Sequence, residues 1–291
     1  MKLINYLDNS KKQKLGVIIG EDMVLDVAGY ASEKEMTDDY SDILSVLRRD
    51  NGLEQLKKLV SGTDEKMKRF AVKLSSVSIL APISRNSKIM GVALNYKDMC
   101  ERGNLPIPKT LKVFSKYSTT VTDPGGEVDI CGHLVTYEGE LGVIIGKRGK
   151  NITREEAYDY IAGYTIVNDM TANDCTKEDV QLLRGKNFDG FFPAGPYLVT
   201  KDEVDDPMKL DIKTMVNGEV RQDSNTREMV FDISEQIEYF SSFLTLEPGD
   251  VIATGTPAGT ALQFDPPWFL KPGDKIQITI EGLGSLLCKI K

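Results

Sequence analysis

Residues 137–146 read YEGELGVIIG, an apolar and β-branched run that ends in glycine. Such a run predicts a β-strand. Because side chains alternate between the two faces of a strand, Glu138 and Glu140 should share one face, roughly 6–7 Å apart. The opposite face carries large apolar side chains, namely Tyr137, Leu141, Val143 and Ile145. We therefore expect this strand to lie in the core.

The two glutamates have two interpretations. Like charges crowded on a half-buried face repel and are costly to desolvate, and a divalent cation between them would remove both penalties. Carboxylate oxygens are hard ligands, which favours Mg²⁺, Mn²⁺ or Ca²⁺ over zinc. The alternative is a solvated strand face with Glu138 and Glu140 at the surface, which is common for charged pairs at this spacing.

A third carboxylate follows the next predicted strand. The segment GYTIVND places Asp169 at the end of an apolar run. Side chains at strand ends often gather into sites, so Asp169 would complete a three-carboxylate cage with Glu138 and Glu140. It can equally be a turn or cap residue, because Asn168-Asp169 favours a turn.

Two further segments could bind an anion. In RGKNFDGF, Lys186 lies between a glycine and aromatic residues, where an ammonium group could hold a carboxylate or stabilise an enolate. Its alternative is a surface lysine with a snorkelling stem. In the TGTP segment, residues 254–257, hydroxyl and backbone N–H groups could hold a carboxylate, or the segment could be a structural turn.

Other chemistries lack their motifs. His133 is the only histidine, and we interpret it as a surface or partly buried bystander. A GxSxG elbow, a GxGxxG turn after a strand, a P-loop and an HExxH pair are all missing from the sequence, which disfavours serine hydrolase, nucleotide-binding and zinc-protease functions. The cysteines are Cys100, Cys131, Cys175 and Cys288. Their wide spacing suggests neither a thiolate zinc site nor a disulfide framework.

Composition narrows the class of protein. The chain has 291 residues, 41% hydrophobic and 27% charged, a globular balance with enough length for a large core. Lys plus Arg total 36 against 44 Asp plus Glu, and the net charge of −8 disfavours nucleic-acid binding. The polar start has no secretory h-region, and no apolar run reaches the ~20 residues that cross a bilayer. We expect a cytoplasmic protein without membrane contact.

The order of elements predicts an α+β protein. Residues 1 to about 30 predict short strands, LGVIIG and MVLDVAGY, and residues 34–75 predict one or two surface helices. From residue 88 strands and turns dominate. NITREEAYDYIAG predicts a helix with Thr153 and Glu156 as a capping box and Gly163 at its end. Asn217-Gly218 predicts a hairpin, and FDISEQIEYFSSFLTL an amphipathic helix. Many strands and few helices indicate a curled sheet or β-roll.

From about residue 80 to its end, the chain strongly resembles the fumarylacetoacetate hydrolase family. The segments KIMGVALNYKD, YEGELGVIIGKRGKNI, RGKNFDGFFPAGPYLVT and FLKPGDKIQITIEGLGSL stand in the family's order and spacing. The resemblance implies a mixed β-sandwich roll of that family's C-terminal type over residues 80–291. It also implies a small N-terminal α/β domain over residues 1–75, and a homodimer.

The resemblance also implies roles. Glu138, Glu140 and Asp169 match the family's metal ligands, Lys186 its pocket lysine, and Thr256 the threonine that contacts a substrate carboxylate. The usual metal is Mg²⁺, with Mn²⁺ or Ca²⁺ as alternatives. Family members cleave, decarboxylate, dehydrate or isomerise small 2-oxo acids. Two substrate oxygens chelate the metal, which acts as a Lewis acid and stabilises the resulting enolate.

The chain departs from the family in its lid. Many hydrolases and decarboxylases of the family read NYxDH with a glutamate three residues later, and that His–Glu pair activates water. Here NYKDMCER places Met99 and Arg102 at those positions, and a thioether cannot take a proton at neutral pH. Glu101 is nearby at a different spacing, and the family's Arg-Asp-x-Gln reads Asn-Asp-Cys-Thr at 173–176. These departures disfavour hydrolysis by the usual dyad.

Four functions remain open. The favoured one is a metal-dependent keto–enol isomerase or decarboxylase of a small 2-oxo dicarboxylic acid, with Lys186, Glu138 and Asp169 as catalytic residues. Substrate-binding candidates are Lys186, Thr256, Arg102 and Tyr96, with Arg102 placed to clamp a second carboxylate. The alternatives are a C–C bond hydrolase of acylpyruvates or fumarylacetoacetate-like diketo acids, and a catalytically weak protein that binds a metal and a dicarboxylate. A metal-free structural subunit is a further alternative. We expect residues 95–112 to become ordered on ligand binding.

Overall fold

The computed structural model describes residues 1–62 and 65–291. Over these residues the strands are β1 (Lys2–Leu7), β2 (Gln13–Ile19), β3 (Met23–Asp26), β4 (Ala71–Lys73), β5 (Ser78–Leu80), β6 (Ile89–Ala93), β7 (Lys112–Lys116), β8 (Val121–Thr122), β9 (Glu127–Val128), β10 (Val135–Thr136), β11 (Gly139–Ile145), β12 (Ile161–Asn168), β13 (Thr171–Ala172), β14 (Phe192–Thr200), β15 (Asp211–Val216), β16 (Glu219–Asn225), β17 (Val251–Ala253), β18 (Lys275–Ile280) and β19 (Gly284–Ile290). The helices are α1 (Val27–Glu33), α2 (Ile43–Leu47), α3 (Gly52–Val60), α4 (Lys97–Arg102), α5 (Asn173–Asp179), α6 (Leu183–Lys186) and α7 (Ile233–Phe243).

Two sheets face each other. The larger has the order β4-β3-β2-β1-β14-β12-β11-β17-β6-β7, with β5 beside β1 and β8 beside β14. The smaller has the order β16-β15-β18-β19-β9, and β10 and β13 form a separate two-stranded ladder. Strands β11, β12 and β14 pack on β15, β18 and β19. The predicted α+β fold with a mixed β-sandwich is confirmed.

The central strand β11 is buried on both faces. Leu141, Val143 and Ile145 belong to the hydrophobic cluster between the two sheets. Ile144 points the other way, into a second cluster. The alternation predicted for residues 137–146 is therefore confirmed.

The N-terminal strands extend the larger sheet, because β1 pairs with β14 and places Leu3 opposite Leu198. Apolar side chains of α1, α2 and α3 lie in the same cluster as Ile144. The division into residues 1–75 and 80–291 stays a prediction. The predicted helices within residues 34–75 are present as α2 and α3, whereas β4 was not predicted.

The helix predicted for residues 151–163 is largely wrong. Only a single 3-10 turn, Ala157–Tyr160, forms there, and β12 begins at Ile161. Thr153 Oγ1 does donate to Glu156 Oε2 at 3.2 Å. A Cβ atom on Gly163 would lie 2.1 Å from the carbonyl oxygen of Val199. Gly163 therefore permits the close pairing of β12 with β14 instead of ending a helix.

Two local predictions had different outcomes. MVLDVAGY was predicted to be all strand, but Asp26 ends β3 and caps α1, since its carboxylate accepts from the Gly29 N–H at 3.1 Å. The hairpin at Asn217-Gly218 is confirmed between β15 and β16. Both turn residues have positive φ, +53° and +83°, as a type I′ turn requires.

Candidate active site

Three carboxylates meet where β11 and β12 pair. Glu138 precedes β11, Glu140 lies within it, and Asp169 follows β12. The Asp169 N–H donates to the Glu138 carbonyl at 2.9 Å, which fixes the two segments against each other. One ligand oxygen from each of the three side chains lies within 4.8 Å of the others. The predicted cage residues are therefore brought together.

The site is withdrawn from solvent. Glu140 is 1% exposed, Asp169 is fully buried, and the Glu138 side chain is 17% exposed. The alternative of a solvated strand face is therefore wrong. Buried like charges need a compensating cation, because desolvation penalises the charged form of each carboxylate.

Two lysines supply part of that compensation. Lys186, on α6, donates through Nζ to Glu138 Oε2 at 2.8 Å and to Asp169 Oδ2 at 2.5 Å. Lys116, the last residue of the edge strand β7, places Nζ 2.7 Å from Asp169 Oδ1. The surface-lysine interpretation of Lys186 is wrong. Lys116 was not predicted to belong to the site, although the sequence places it two residues after Phe114, on the same strand face.

The acid–base properties of these groups differ. Burial and the nearby Asp169 raise the pKa of Glu140 well above its ordinary value. Burial also raises the pKa of Glu138, although Lys186 opposes the shift. The pKa of Asp169 is lowered, because Lys116 and Lys186 outweigh the effect of burial. Glu140 is thus the carboxylate whose negative charge is least compensated by the protein.

The pKa values of the two lysines shift in opposite directions. Burial lowers the pKa of Lys116. Burial acts in the same direction on Lys186, but the negative charges of Asp169 and Glu138 outweigh it and raise the pKa of Lys186. Lys186 therefore remains an ammonium group at neutral pH.

The TGTP segment closes one side of the cage. Gly255, at φ +105°, donates its N–H to Glu140 Oε2 at 2.9 Å. Thr256 Oγ1 donates to the Gly139 carbonyl at 2.9 Å and accepts from Gln222 Nε2 at 2.7 Å. A substrate carboxylate would have to compete with Gly139 for the Thr256 proton. Nothing in the sequence predicted that Gln222, on β16, belongs to the site.

Helix α4 lies beside the site. Tyr96 precedes it and is fully buried, and its hydroxyl has no hydrogen-bond partner among the residues described. Burial, followed by the charge of Glu140, raises the pKa of Tyr96. Asp98 anchors the helix, since it accepts from Ser224 Oγ at 2.6 Å and from the Ala258 N–H at 3.3 Å.

The two lid residues that depart from the family lie on this helix. Met99 is half-buried, and its carbonyl accepts from Gln263 Nε2 at 2.9 Å. Arg102 is exposed and lies over the Phe264 ring, 5.0 Å from its centroid, instead of against the carboxylates. The clamp role of Arg102 stays a prediction.

His133 lies outside the carboxylate cage. It is half-buried, and its Nδ1 lies 2.8 Å from Asp174 Oδ2. His133 and Glu138 flank opposite ends of the β10–β13 ladder.

The donor set suits a hard divalent cation. All three ligand groups are carboxylates, and their oxygens are close enough to share one ion. With every group ionised, the three carboxylates and two ammonium groups leave one negative charge in a buried site. A divalent cation would reverse that excess to one positive charge, and zinc-type soft ligands are not part of this donor set.

The sequence is similar to known enzymes. The profile of the fumarylacetoacetate (FAA) hydrolase C-terminal family matches residues 88–291. A mitochondrial oxaloacetate tautomerase of Bos taurus is 45% identical over 220 residues, which cover 74% of this chain and 70% of the relative.

Solved structures agree over the whole chain. A fumarylacetoacetate hydrolase from Exiguobacterium antarcticum has a TM-score of 0.84 at 33% identity and covers 100% of this chain and 99% of its own. A 2-hydroxyhepta-2,4-diene-1,7-dioate isomerase from Mycobacterium marinum has a TM-score of 0.76 at 30% identity, with 100% and 98% covered. Maleylpyruvate hydrolase from Sphingobium, in complex with manganese(II) and pyruvate, has a TM-score of 0.79 at 28% identity, with 100% and 98% covered.

No helix within residues 1–62 and 65–291 combines the length and the apolar character needed to cross a bilayer.

Proposed function

Because the chain belongs to the fumarylacetoacetate hydrolase family, we propose that it is a divalent-metal-dependent enzyme that interconverts the keto and enol forms of a small 2-oxo dicarboxylic acid. Oxaloacetate is the proposed substrate, since the relative that shares 45% identity is named for that tautomerase activity. Decarboxylation of the same class of acid is the alternative reaction, because it also proceeds through an enolate.

The charge balance of the buried site is the observation that carries this proposal. Within residues 1–62 and 65–291, Glu138, Glu140 and Asp169 pair with two ammonium groups, those of Lys116 and Lys186. Adding a divalent cation would turn the single excess negative charge into a single positive one. A 2-oxo carboxylate would neutralise that charge, whereas a neutral substrate would not.

A bound Mg²⁺, or Mn²⁺ or Ca²⁺ in its place, would be held by Glu138, Glu140 and Asp169 and would supply a Lewis acid that favours loss of a proton beside the ketone.

The protein's own groups then position the substrate and move the proton. Lys186 stays protonated, so it donates a hydrogen bond to developing negative charge and can return a proton to carbon. In the enol-to-keto direction, Glu138 takes the proton that leaves the enol oxygen and passes it to Lys186, whose Nζ lies 2.8 Å away, to replace the proton delivered to carbon. Tyr96 contributes a buried hydroxyl without a partner among the described residues, which can orient a substrate oxygen.

The second carboxylate of the substrate needs a further cation. Helix α4 carries Arg102, whose planar guanidinium suits a bidentate contact with a carboxylate. In the structure this guanidinium lies over the Phe264 ring. We propose that Arg102 selects dicarboxylates, and that the enzyme works as a homodimer, as the family resemblance implies.

Hydrolysis of an acylpyruvate is the second candidate, because a maleylpyruvate hydrolase shares the fold over the whole chain. That reaction needs a base to activate water. Met99 occupies the position of the family's lid histidine and cannot serve as that base.

The test is an assay of the full chain with Mg²⁺ or Mn²⁺ against oxaloacetate, acylpyruvates and 2-hydroxy-dienedioates. We expect the protein to accelerate the loss of enol-oxaloacetate absorbance. Glu140→Gln should abolish this acceleration. Glu127→Gln, at an exposed glutamate paired with Lys289, should retain it. Turnover of acylpyruvates alone would overturn tautomerisation in favour of hydrolysis. Binding of metal and dicarboxylate without any product would favour the catalytically weak binding protein.

A further inference from the structure

His133, Asp174 and Cys175 form a second cluster of potential metal ligands. His133 Nδ1 lies 2.8 Å from Asp174 Oδ2 and 3.5 Å from Cys175 Sγ. One ligand atom from each residue lies within 4.8 Å of the others. The cluster thus offers one nitrogen, one oxygen and one sulfur, a donor set unlike that of the carboxylate site.

The backbone holds these residues in one register with the carboxylate site. In the β10–β13 ladder, Val135 lies opposite Ala172 and Thr136 opposite Thr171. The Asn173 N–H extends the ladder outward by donating to the Leu134 carbonyl at 2.8 Å. This register places His133 opposite Asp174 at one end, as it places Glu138 opposite Asp169 at the other.

Side-chain orientation is also fixed. The Phe188 ring lies 4.6 Å from the His133 ring, and the Leu134 N–H donates to Asp174 Oδ1 at 3.2 Å. Cys175 is 2% exposed, so its sulfur faces the imidazole and not bulk solvent. Aromatic packing against a ligand, and hydrogen bonds to a ligand from neighbouring backbone groups, orient metal ligands in advance.

We propose that His133, Asp174 and Cys175 bind a thiophilic divalent ion of the Zn²⁺ class, at a site distinct from the oxygen-lined site. Zinc bonds of 2.0–2.3 Å require tetrahedral ligands to lie about 3.3–3.8 Å apart. The distances from His133 Nδ1 to Asp174 Oδ2 and to Cys175 Sγ, 2.8 Å and 3.5 Å, are close to that range. Binding releases the thiol proton of Cys175 to solvent. Three protein ligands leave a fourth position for water.

The two sites differ in the metal ions that their ligands prefer. Imidazole and thiolate select Zn²⁺ or Co²⁺ over Mg²⁺, whereas three carboxylates suit Mg²⁺. The sequence spacing gave no sign of this cluster, because its ligands come from two segments about forty residues apart that only the ladder joins.

The experiment uses the full chain with Cys131→Ser as background, since Cys131 is exposed two residues from His133. With excess Mg²⁺ present, Co²⁺ is titrated and thiolate-to-cobalt charge-transfer absorption is recorded. We expect saturation at one equivalent, loss of the band in Cys175→Ser, and at least tenfold weaker binding in His133→Ala. Glu140→Gln should retain the band, so the result is independent of the proposed function. Absence of the band in the background protein, or its survival in Cys175→Ser, would overturn the proposal.

A second measurement does not depend on variants that must fold. X-ray absorption of the Zn²⁺-loaded Cys131→Ser protein with excess Mg²⁺ should show one sulfur at about 2.3 Å and nitrogen or oxygen at about 2.0 Å. A shell of oxygen and nitrogen alone would show that zinc binds elsewhere and would refute the site.

Discussion

Lys116 and Asp169 form an ion pair in which neither side chain is exposed, with Nζ 2.7 Å from Oδ1. The pair joins the edge strand β7 to the end of β12. An isolated charge at either position would be costly, because a buried ion without its partner destabilises a fold by about 3–5 kcal/mol. The pair therefore links the position of Asp169 to the stability of the protein.

Replacing Lys116 by Met should lower the stability of the metal-free protein by about 3 kcal/mol, since Asp169 loses one of its two cations. Saturating Mn²⁺ should restore part of this loss and stabilise the variant more than the wild type. Urea denaturation with and without Mn²⁺ measures both effects. The control is Lys213→Met, which breaks an exposed pair with Asp223 and should cost less than about 1 kcal/mol. Equal stabilisation of Lys116→Met and wild type by Mn²⁺ would contradict this account.

Stabilisation by Mg²⁺ should grow as the pH rises. The folded protein raises the pKa of Glu140, chiefly by burial. Glu140 therefore makes its full contribution to the stability of the metal-free fold below the pKa that it has in the unfolded chain. This contribution is lost as the pH rises through the pKa of Glu140 in the folded protein. A bound cation removes that penalty. Thermal shifts with Mg²⁺ at about pH 5 and about pH 8 measure the trend, which Glu140→Gln should flatten. Equal shifts at both values in the wild type would refute it.

Arg102→Met should impair the use of dicarboxylates selectively. Loss of a charge-assisted hydrogen bond costs about 1.5–3 kcal/mol, so KM for oxaloacetate should rise at least about tenfold. A 2-oxo monocarboxylic acid should be affected much less. Arg148→Met, at an exposed pair with Glu247, is the matched control. An equal change for both classes of acid would show that Arg102 does not read the second carboxylate.

Restoring the family's dyad should raise any weak hydrolytic activity. In Met99→His combined with Arg102→Glu, α4 would carry a base where a thioether stands now. General base catalysis contributes about 10²–10⁴-fold, and we expect acylpyruvate hydrolysis to increase at least about tenfold. Assays of both single variants separate the two changes. If the double variant hydrolyses no faster than the wild type, the missing dyad does not explain the preference for tautomerisation.

Residues 95–112 should gain hydrogen-exchange protection when Mg²⁺ and oxalate are added together. Asp98 holds α4 through Ser224 and Ala258, while residues 103–111 that follow contain neither helix nor strand. Asp98→Asn should reduce the protection gained. Identical exchange with and without ligand would argue against a closing lid.

Local periodicity predicted the parts of the site that lie on one strand. The alternation in residues 137–146 located Glu138 and Glu140, and the end of the next strand located Asp169. Lys116 and Gln222 were missed because the order of strands in the sheets, not local sequence, brings β7 and β16 to the site. The helix at 151–163 was predicted from its capping residues, but pairing of Gly163 with β14 overrode that local preference.

The single register of the β10–β13 ladder ties two chemistries to one piece of backbone. Inserting or deleting one residue between 133 and 138, or between 169 and 174, would turn the following side chains to the opposite face. Transfer of either set of ligands to another protein would require both chain segments together. The other set of ligands would then be transferred as well.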